Sequence, residues 1–411
     1  MSADLSLHTL VEDFQVRDGC LCIGGKKVTD IAAELGSSPF YVYDCQLIEK
    51  RIQHLKNALP RGISVHYAVK ANPMPEVVAL VSQLVTGLDV ASAGELKVAL
   101  STSCNVADIS FAGPGKTLPE LDAAVAAGIT LNMESATELD RIVAIANATD
   151  KRPRVAVRVN PDFELKSSGM KMSGGAKQFG IDAEQVPKVL GGMKDLPVEF
   201  VGFHIFSGSQ NLHPEAICES QSKALKLALK LAAHAPTSPR TINIGGGFGI
   251  PYFPGDIPLD LASIGANLTD LLAQIDARLP GTELILELGR YLVGEAGVYI
   301  CTVLDRKVSR GQIFLVTDGG LHHHLAASGN FGQVIRKNYP VAIANRIGSN
   351  EVEVASVVGP LCTPLDLLAD RMELAKADVG DLVAVFQSGA YGFTASPHNF
   401  LGHPPPRELL L

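Results

Sequence analysis

The sequence predicts a (β/α)8 barrel joined to an all-β domain. Two observations carry this. From residue 63 to residue 288, apolar strand candidates alternate eight times with alanine- and leucine-rich stretches of helical period. After residue 290 that rhythm stops, and short strands separated by turns take over. A doubly wound parallel sheet is the alternative fold for the first part.

Residues 1–38 are short and mixed, with Asp18-Gly19 and Gly24-Gly25 flanking Cys20–Ile23 as hairpin signals. This segment is expected to pack with the β domain, so that both chain ends join it. The barrel is expected over 39–289, opening with Pro39–Tyr43 and a helix over 46–59. Its strands are expected at Ile63–Val69, Gly87–Val90, Ile109–Ala112, Ile129–Met133, Arg154–Val159, Phe200–Phe206, Thr241–Ile244 and Glu283–Leu288. Helices are expected over 75–84, 94–101, 118–127, 135–147, 182–192, 214–234 and 260–278. In the β domain, 290–411, strands are expected at Val298–Asp305, Ile313–Thr317, Glu351–Val357 and Leu382–Val385. A long irregular stretch, Gly319–Asn345, holds His322-His323-His324 and the turn Gly329-Asn330-Phe331-Gly332, and loops of that length are more often functional than idle.

Composition narrows the function. The 411 residues carry a net charge of -8 with no long basic run, which argues against nucleic acid and anionic membrane as partners. No run of about 18 apolar residues marks a membrane span, and MSADLSLHTLVEDF lacks the basic and apolar blocks of a signal peptide. Seven scattered cysteines without a CxxC fit a reducing cytoplasm, not a disulfide frame or zinc site.

A barrel places its chemistry at the carboxyl ends of its strands. There stand Lys70, Asp89, Gly113, Glu134, Arg158, His204, Gly245–Gly247 and Glu287. Lys70 ends the apolar strand of HYAVKANP. A desolvated lysine amine is a nucleophile able to hold a carbonyl cofactor as a Schiff base, and a lysine snorkelling at a strand end is the plainer alternative. GGGFG at 245–249 can converge backbone N–H groups on a phosphate; it is not a GxGxxG dinucleotide pattern. Ser207-Gly208-Ser209-Gln210-Asn211 can complete such a cradle or form an ordinary turn. Glu287 can hold a protonated heterocyclic nitrogen, and Arg290 can fork onto phosphate or carboxylate; the alternative is a structural ion pair. Asp89 and Arg158 are expected to pair near the site or as a structural salt bridge. In the β domain, Cys362 and Tyr391 lie on glycine- and proline-rich loop tips. The three consecutive histidines invite a metal reading, but no carboxylate or cysteine follows at ligand spacing.

These motifs, spanning nearly the whole chain, resemble the fold-type III pyridoxal-phosphate decarboxylases, which include the diaminopimelate, ornithine and arginine decarboxylases. YAVKANP resembles the cofactor-lysine strand, LDVASAGE the segment whose aspartate lies near the cofactor, GGGFG the phosphate loop, and ELGR the family's EPGR. The resemblance implies a pyridoxal 5'-phosphate cofactor with Lys70 as Schiff-base residue and Glu287 on the pyridine nitrogen. Asp89, Arg158, His204, Phe206, Ser209, Gly246, Gly247, Arg290 and Tyr391 would line the cofactor. It implies a homodimer with shared active sites, in which Cys362 reaches the partner's site as proton donor. Arg290, Arg336, Tyr339, Asp366 and Tyr391 are the substrate-side candidates.

Three features depart from the family, one being that the 319–345 stretch lacks the usual diaminopimelate-type arginine–proline spacing. Phe206 stands where a ring-stacking histidine is usual, with His204 two residues earlier. Thr363 replaces the glutamate that follows the cysteine in diaminopimelate decarboxylases, which disfavours diaminopimelate as substrate. GFHIFSGSQN, GGGFGIPYFPGD and GPLCTPLDLLAD are similar to a bacterial subgroup associated with exosortase A and exopolysaccharide loci. A related branch acts on aminoacyl groups tethered to a carrier protein. The expected activity is therefore decarboxylation of an amino acid or aminoacyl substrate. Racemisation, diaminopimelate decarboxylation, cofactor carriage and an inactive regulatory role are the alternatives.

Overall fold

The computed structural model describes residues 13–164, 170–171, 173–331, 333 and 336–411; Gly332 of the expected turn, and residues 1–12 of the expected N-terminal segment, lie outside them. The chain divides into two compact units. One comprises Arg51–Ile250 and Pro258–Leu292, and the other takes the chain up to Lys50, Pro251–Ile257 and Val293–Leu411.

The first unit is a closed parallel barrel. Its strands are Ile63–Ala68, Gly87–Val90, Ile109–Phe111, Thr130–Met133, Arg154–Asn160, Glu199–His204, Thr241–Gly246 and Glu283–Leu288. Each pairs with the next in chain order, and the eighth pairs with the first, Glu287 lying opposite His66. Buried β-branched and leucine residues dominate, as a sheet covered on both faces requires. Helices such as Leu118–Ala127, with a Thr117–Glu120 capping box, and Pro214–Ala232 return the chain between strands.

The barrel interior is polar where the strands face the axis. Asp89 accepts a hydrogen bond from Ser110, whose hydroxyl also receives Asn132 Nδ2 at 2.9 Å. His66 Nδ1 lies 3.5 Å from Asp89 Oδ1. Burial opposes charging of His66, and the Asp89 carboxylate outweighs it, raising the imidazole above its ordinary value.

The second unit is mostly β. Its main sheet runs Val341–Ile343, Leu382–Val385, Gly297–Ser309, Gln312–Thr317, Val352–Val358, Leu367–Ala375. The Asp18-Gly19 and Gly24-Gly25 turns, all at positive φ, fold Gln15–Arg17, Cys20–Ile23 and Lys26–Lys27 into a small antiparallel sheet. Phe14, Leu21, Ile23, Val28, Phe40, Val298 and Phe386 share one core.

Phe40–Tyr43 does not open the barrel as expected. It pairs antiparallel with Gly297–Ile300 and parallel with Arg407–Leu410, so the boundary drawn at residue 39 moves to Lys50. Strands Val341–Ile343, Leu367–Ala375 and Arg407–Leu410 were not expected from the sequence. Among the described residues, no helix is long and apolar enough to cross a membrane.

Candidate active site

The first barrel strand ends at Ala68 and passes into a 3-10 turn, and Pro73, with no N–H, bars any return to the ladder. Asn72 Oδ1 accepts the Met74 N–H at 3.1 Å, the Tyr67 hydroxyl donates to the Asn72 carbonyl at 2.9 Å, and Pro75 starts the next helix. Lys70 is thereby held in a single 3-10 turn, Val69–Ala71, at the strand's carboxyl end. Its Nζ lies 3.5 Å from Glu287 Oε1 and 5.6 Å from the centroid of the Phe206 ring.

Glu287 is the centre of this arrangement. It ends the eighth strand, buried, and its Oε2 accepts His204 Nε2 at 2.9 Å. Burial alone would raise its carboxyl. The Lys70 charge, the His204 bond and charge, and Arg158 outweigh that and hold it well below the ordinary glutamate value. His204 is buried at the end of the sixth strand, and its Nδ1 has no partner among the described residues. Gly289 follows Glu287 where a Cβ would stand 2.9 Å from the Ala71 Cβ, and Arg290 opens the short helix Arg290–Val293.

Two loops after strands six and seven are laced together. Asn211 N donates to Gly247 O and Gly249 N to Asn211 O, both at 2.9 Å. Gln210 exchanges two hydrogen bonds with the Ile250 backbone. Gly245 and Gly247 have φ +70° and +78°, and a Cβ on Gly246 would collide with the Glu287 carbonyl oxygen. Alternating glycines of this kind aim backbone N–H groups at an anion. The Ser207 and Ser209 hydroxyls are buried here without partners among the described residues. A phosphate would satisfy them, and the anionic Glu287 suits a protonated ring nitrogen. The donor set therefore fits pyridoxal phosphate.

A second ion pair stands on the same rim. Arg158 Nη1 lies 2.6 Å from Glu134 Oε1, with its guanidinium 4.9 Å from the Phe179 ring centroid. Glu134 also accepts Gly113 N at 2.6 Å and Gly180 N at 3.1 Å. The expected Asp89–Arg158 pair does not form. Asp89 turns to Ser110 and His66, while the neighbouring fourth strand supplies Arg158 with a carboxylate. Lys116, one turn further on, is buried on Glu138 Oε1 at 2.7 Å and on the carbonyls of Gly113 and Asn132.

The structure thus brings Lys70, Glu287, His204, Phe206, Ser209, Gly246, Gly247, Arg158 and Arg290 to the carboxyl end of the barrel, with Asp89 deeper in it. Sequence reasoning saw Glu134 at a strand end but gave it no role. The signal was adjacency, since strands four and five must be neighbours. It also passed over Glu95 within LDVASAGE. That side chain accepts the Ala91 N–H at 2.7 Å, and its carboxyl, raised mainly by burial, feels the Lys70 charge.

The remaining expected residues belong to the β unit. Cys362 is exposed with a free thiol. Tyr391 has φ +54° and its ring lies 6.3 Å from that of Phe331. Asp366 is buried and accepts the amides of Leu321 and Leu361 at 2.6 and 2.8 Å, which shapes the cysteine loop. Arg336 donates to Ser328 O, Asn338 Oδ1 and Leu367 O. Tyr339 is buried against Tyr252, ring centroids 4.7 Å apart. His323 and His324 bond to the Pro404 carbonyl and Ser388 hydroxyl, and no group able to hold a metal occurs among the described residues.

Residues 45–294 match the family described as pyridoxal-dependent decarboxylase, pyridoxal binding domain. The L-glutamyl-[BtrI acyl-carrier protein] decarboxylase of Niallia circulans is 39% identical over 91% of this chain and 88% of that protein. The diaminopimelate decarboxylase of Aquifex aeolicus is 35% identical, covering 93% and 89%. Among solved structures, the diaminopimelate decarboxylase of M. jannaschii in complex with L-lysine superposes with a TM-score of 0.87 at 27% identity, covering 97% and 92%. AQ1208 from Aquifex aeolicus gives 0.85 at 31%, covering 99% and 94%.

Proposed function

The chain belongs to the pyridoxal-dependent decarboxylases, and on that premise we propose that it decarboxylates an aminoacyl group carried on a carrier protein. Pyridoxal 5'-phosphate is its cofactor, and carboxy-lyase chemistry is its activity. One observation carries the assignment of roles: the Lys70 amine at a strand end, 3.5 Å from a buried carboxylate held anionic.

The chemistry supplied by the bound cofactor is an electron sink for the pair left at Cα when carbon dioxide departs. Lys70 would be the amine that holds the cofactor. Glu287 would keep the ring nitrogen protonated. Gly246, Gly247, Ser209 and the neighbouring amides would hold the phosphate, with Arg290 and Tyr391 on the phosphate or substrate. Phe206 would cover the ring face, where it can neither titrate nor donate a hydrogen bond. Cys362, exposed on its loop, delivers a proton to Cα in the site of a partner copy, which makes the working unit a homodimer.

The carrier-bound substrate is favoured by the Niallia relative and by Thr363, whose hydroxyl caps the Leu365 N–H at 3.3 Å and offers no charge to a distal ammonium. We further assign the chain to the exopolysaccharide-associated branch and to the cytoplasm. The test is carbon dioxide release from L-glutamyl-carrier protein, free L-glutamate and meso-diaminopimelate, with optical rotation followed in parallel. The expected outcome is release from the carrier-bound substrate, and loss of both turnover and the cofactor's absorption band in Lys70→Ala. Release from diaminopimelate alone would replace the substrate assignment. Loss of rotation without carbon dioxide would replace the reaction.

A further inference from the structure

We propose that His204 is a positioning residue that acts through Glu287, orienting the carboxylate toward a pyridine nitrogen without itself touching the cofactor. The inference rests on the reading of Glu287 given above.

Among the described residues, the imidazole makes one hydrogen bond. Its Nε2 lies 2.9 Å from Glu287 Oε2, and a carboxylate only accepts, so Nε2 is the donor. Nδ1 is buried without a partner among the described residues. A ring with a single donor on a single carboxylate, fully enclosed, is placed to orient that carboxylate. Its ring centroid is 6.5 Å from that of Phe206 and tilted by 58°, so the two aromatic groups do not form one stacked face. The usual stacking position belongs to Phe206, and His204 is left to the carboxylate.

The division of labour between the two oxygens supports this. Oε1 faces Lys70, whose side chain is 43% exposed, whereas the side chains of His204 and Glu287 are 2% and 3% exposed. An amine engaged by an aldehyde cannot also serve as a fixed counter-charge. The His204 N–H can, because nothing in its role requires it to move. Arg158 adds a more distant positive charge that Glu134 largely neutralises at 2.6 Å. His66, opposite Glu287 in register on the first strand, is balanced by Asp89. His204 is thus the one group among these that meets Glu287 by a short hydrogen bond from a rigid, buried position.

The test compares His204→Leu, His204→Gln and Glu287→Gln holoenzymes and the Leu/Gln double variant. Cofactor affinity and the pH at which the bound cofactor's visible band titrates are measured. His204→Leu should weaken cofactor binding about tenfold and shift that titration, as expected for losing one charge-assisted hydrogen bond. His204→Gln should recover most of both, since its amide N–H can occupy the Nε2 position. In the Glu287→Gln background the leucine should add less than about twofold. Wild-type affinity and titration in His204→Leu would overturn the proposal, as would a full tenfold loss persisting beside Glu287→Gln, which would mean direct contact. If Glu287→Gln alone behaves as wild type, the Glu287 reading itself has failed, and the inference goes with it. Should the leucine variant not fold, His204→Asn, which keeps a polar group but withdraws the Nε2 donor, takes its place in the same comparisons.

Discussion

Replacing Glu134 by alanine should destabilise the barrel more than removing any single apolar side chain near it. The carboxylate is 2% exposed and the Arg158 side chain 7%, at 2.6 Å. Its loss leaves a guanidinium buried without its counter-ion, which costs about 3–5 kcal/mol. It also orphans the N–H groups of Gly113 and Gly180, adding roughly 1 kcal/mol each where water cannot replace the carboxylate. The Arg158–Phe179 stack is made with or without Glu134, so it offsets none of this. The loss is therefore about 5–7 kcal/mol, a large share of the roughly 5–15 kcal/mol typical of a domain. Glu134→Gln keeps one acceptor but no charge, and should lose about half as much. Because the chain has no tryptophan, urea unfolding is best followed by circular dichroism, with and without cofactor. A loss below about 1 kcal/mol in the alanine variant would refute the reasoning, since it would show that Arg158 is freely solvated.

Three further outcomes are expected. The β unit should lose stability as pH falls below the ordinary histidine value of 6.5, because burial lowers His322, His323 and His324 to about 3, 4 and 3. Unfolded histidines take up protons in that window while the folded ones do not, so each contributes up to about 1.4 kcal/mol per pH unit. An acid-unfolding slope unchanged in His322→Asn would count against this. Gly246→Ala should weaken cofactor binding by about tenfold or more, since its Cβ meets the Glu287 carbonyl and Leu288 and forces the phosphate bend outward; calorimetric affinity equal to wild type would contradict it. Cys362→Ala should retain cofactor and cut decarboxylation by about 10²–10⁴-fold, with part of the flux diverted to transamination. An unchanged rate and product ratio would remove the thiol from the proton path.

The barrel was legible because its signal is local. Alternating apolar strands and periodic helices mark themselves, and Gly87–Val90 and Glu283–Leu288 fall where the pattern puts them. What was illegible depends on distant pairing. Phe40–Tyr43 is an apolar strand like any other, and only its register with Gly297–Ile300 shows which sheet it joins. Leu367–Ala375 reads LLADRMELA, a composition that favours helix. Pairing with Val352–Val358 overrides that preference. Within the site, the chain order of the barrel strands already sets Glu134 beside Arg158 and Asp89 three strands away; matching Arg158 with Asp89 overlooked that adjacency.

Two buried carboxylates stand on the same rim, and their bonds decide which of them can serve a ligand. Glu134 accepts from Arg158, Gly113 and Gly180, all held by strand ends or tight backbone, so fixed donors fill three of its roughly four acceptor positions. Glu287 has one oxygen fixed by His204. The other faces a half-exposed lysine, whose long side chain can turn away at little cost. A carboxylate has about four acceptor positions, and here Glu287 alone keeps one available on the side where an amine can be displaced. The same reasoning explains why the two cannot be exchanged by mutation: moving charge to Glu134 would loosen two loops, whereas altering Glu287 leaves the barrel's backbone bonds intact.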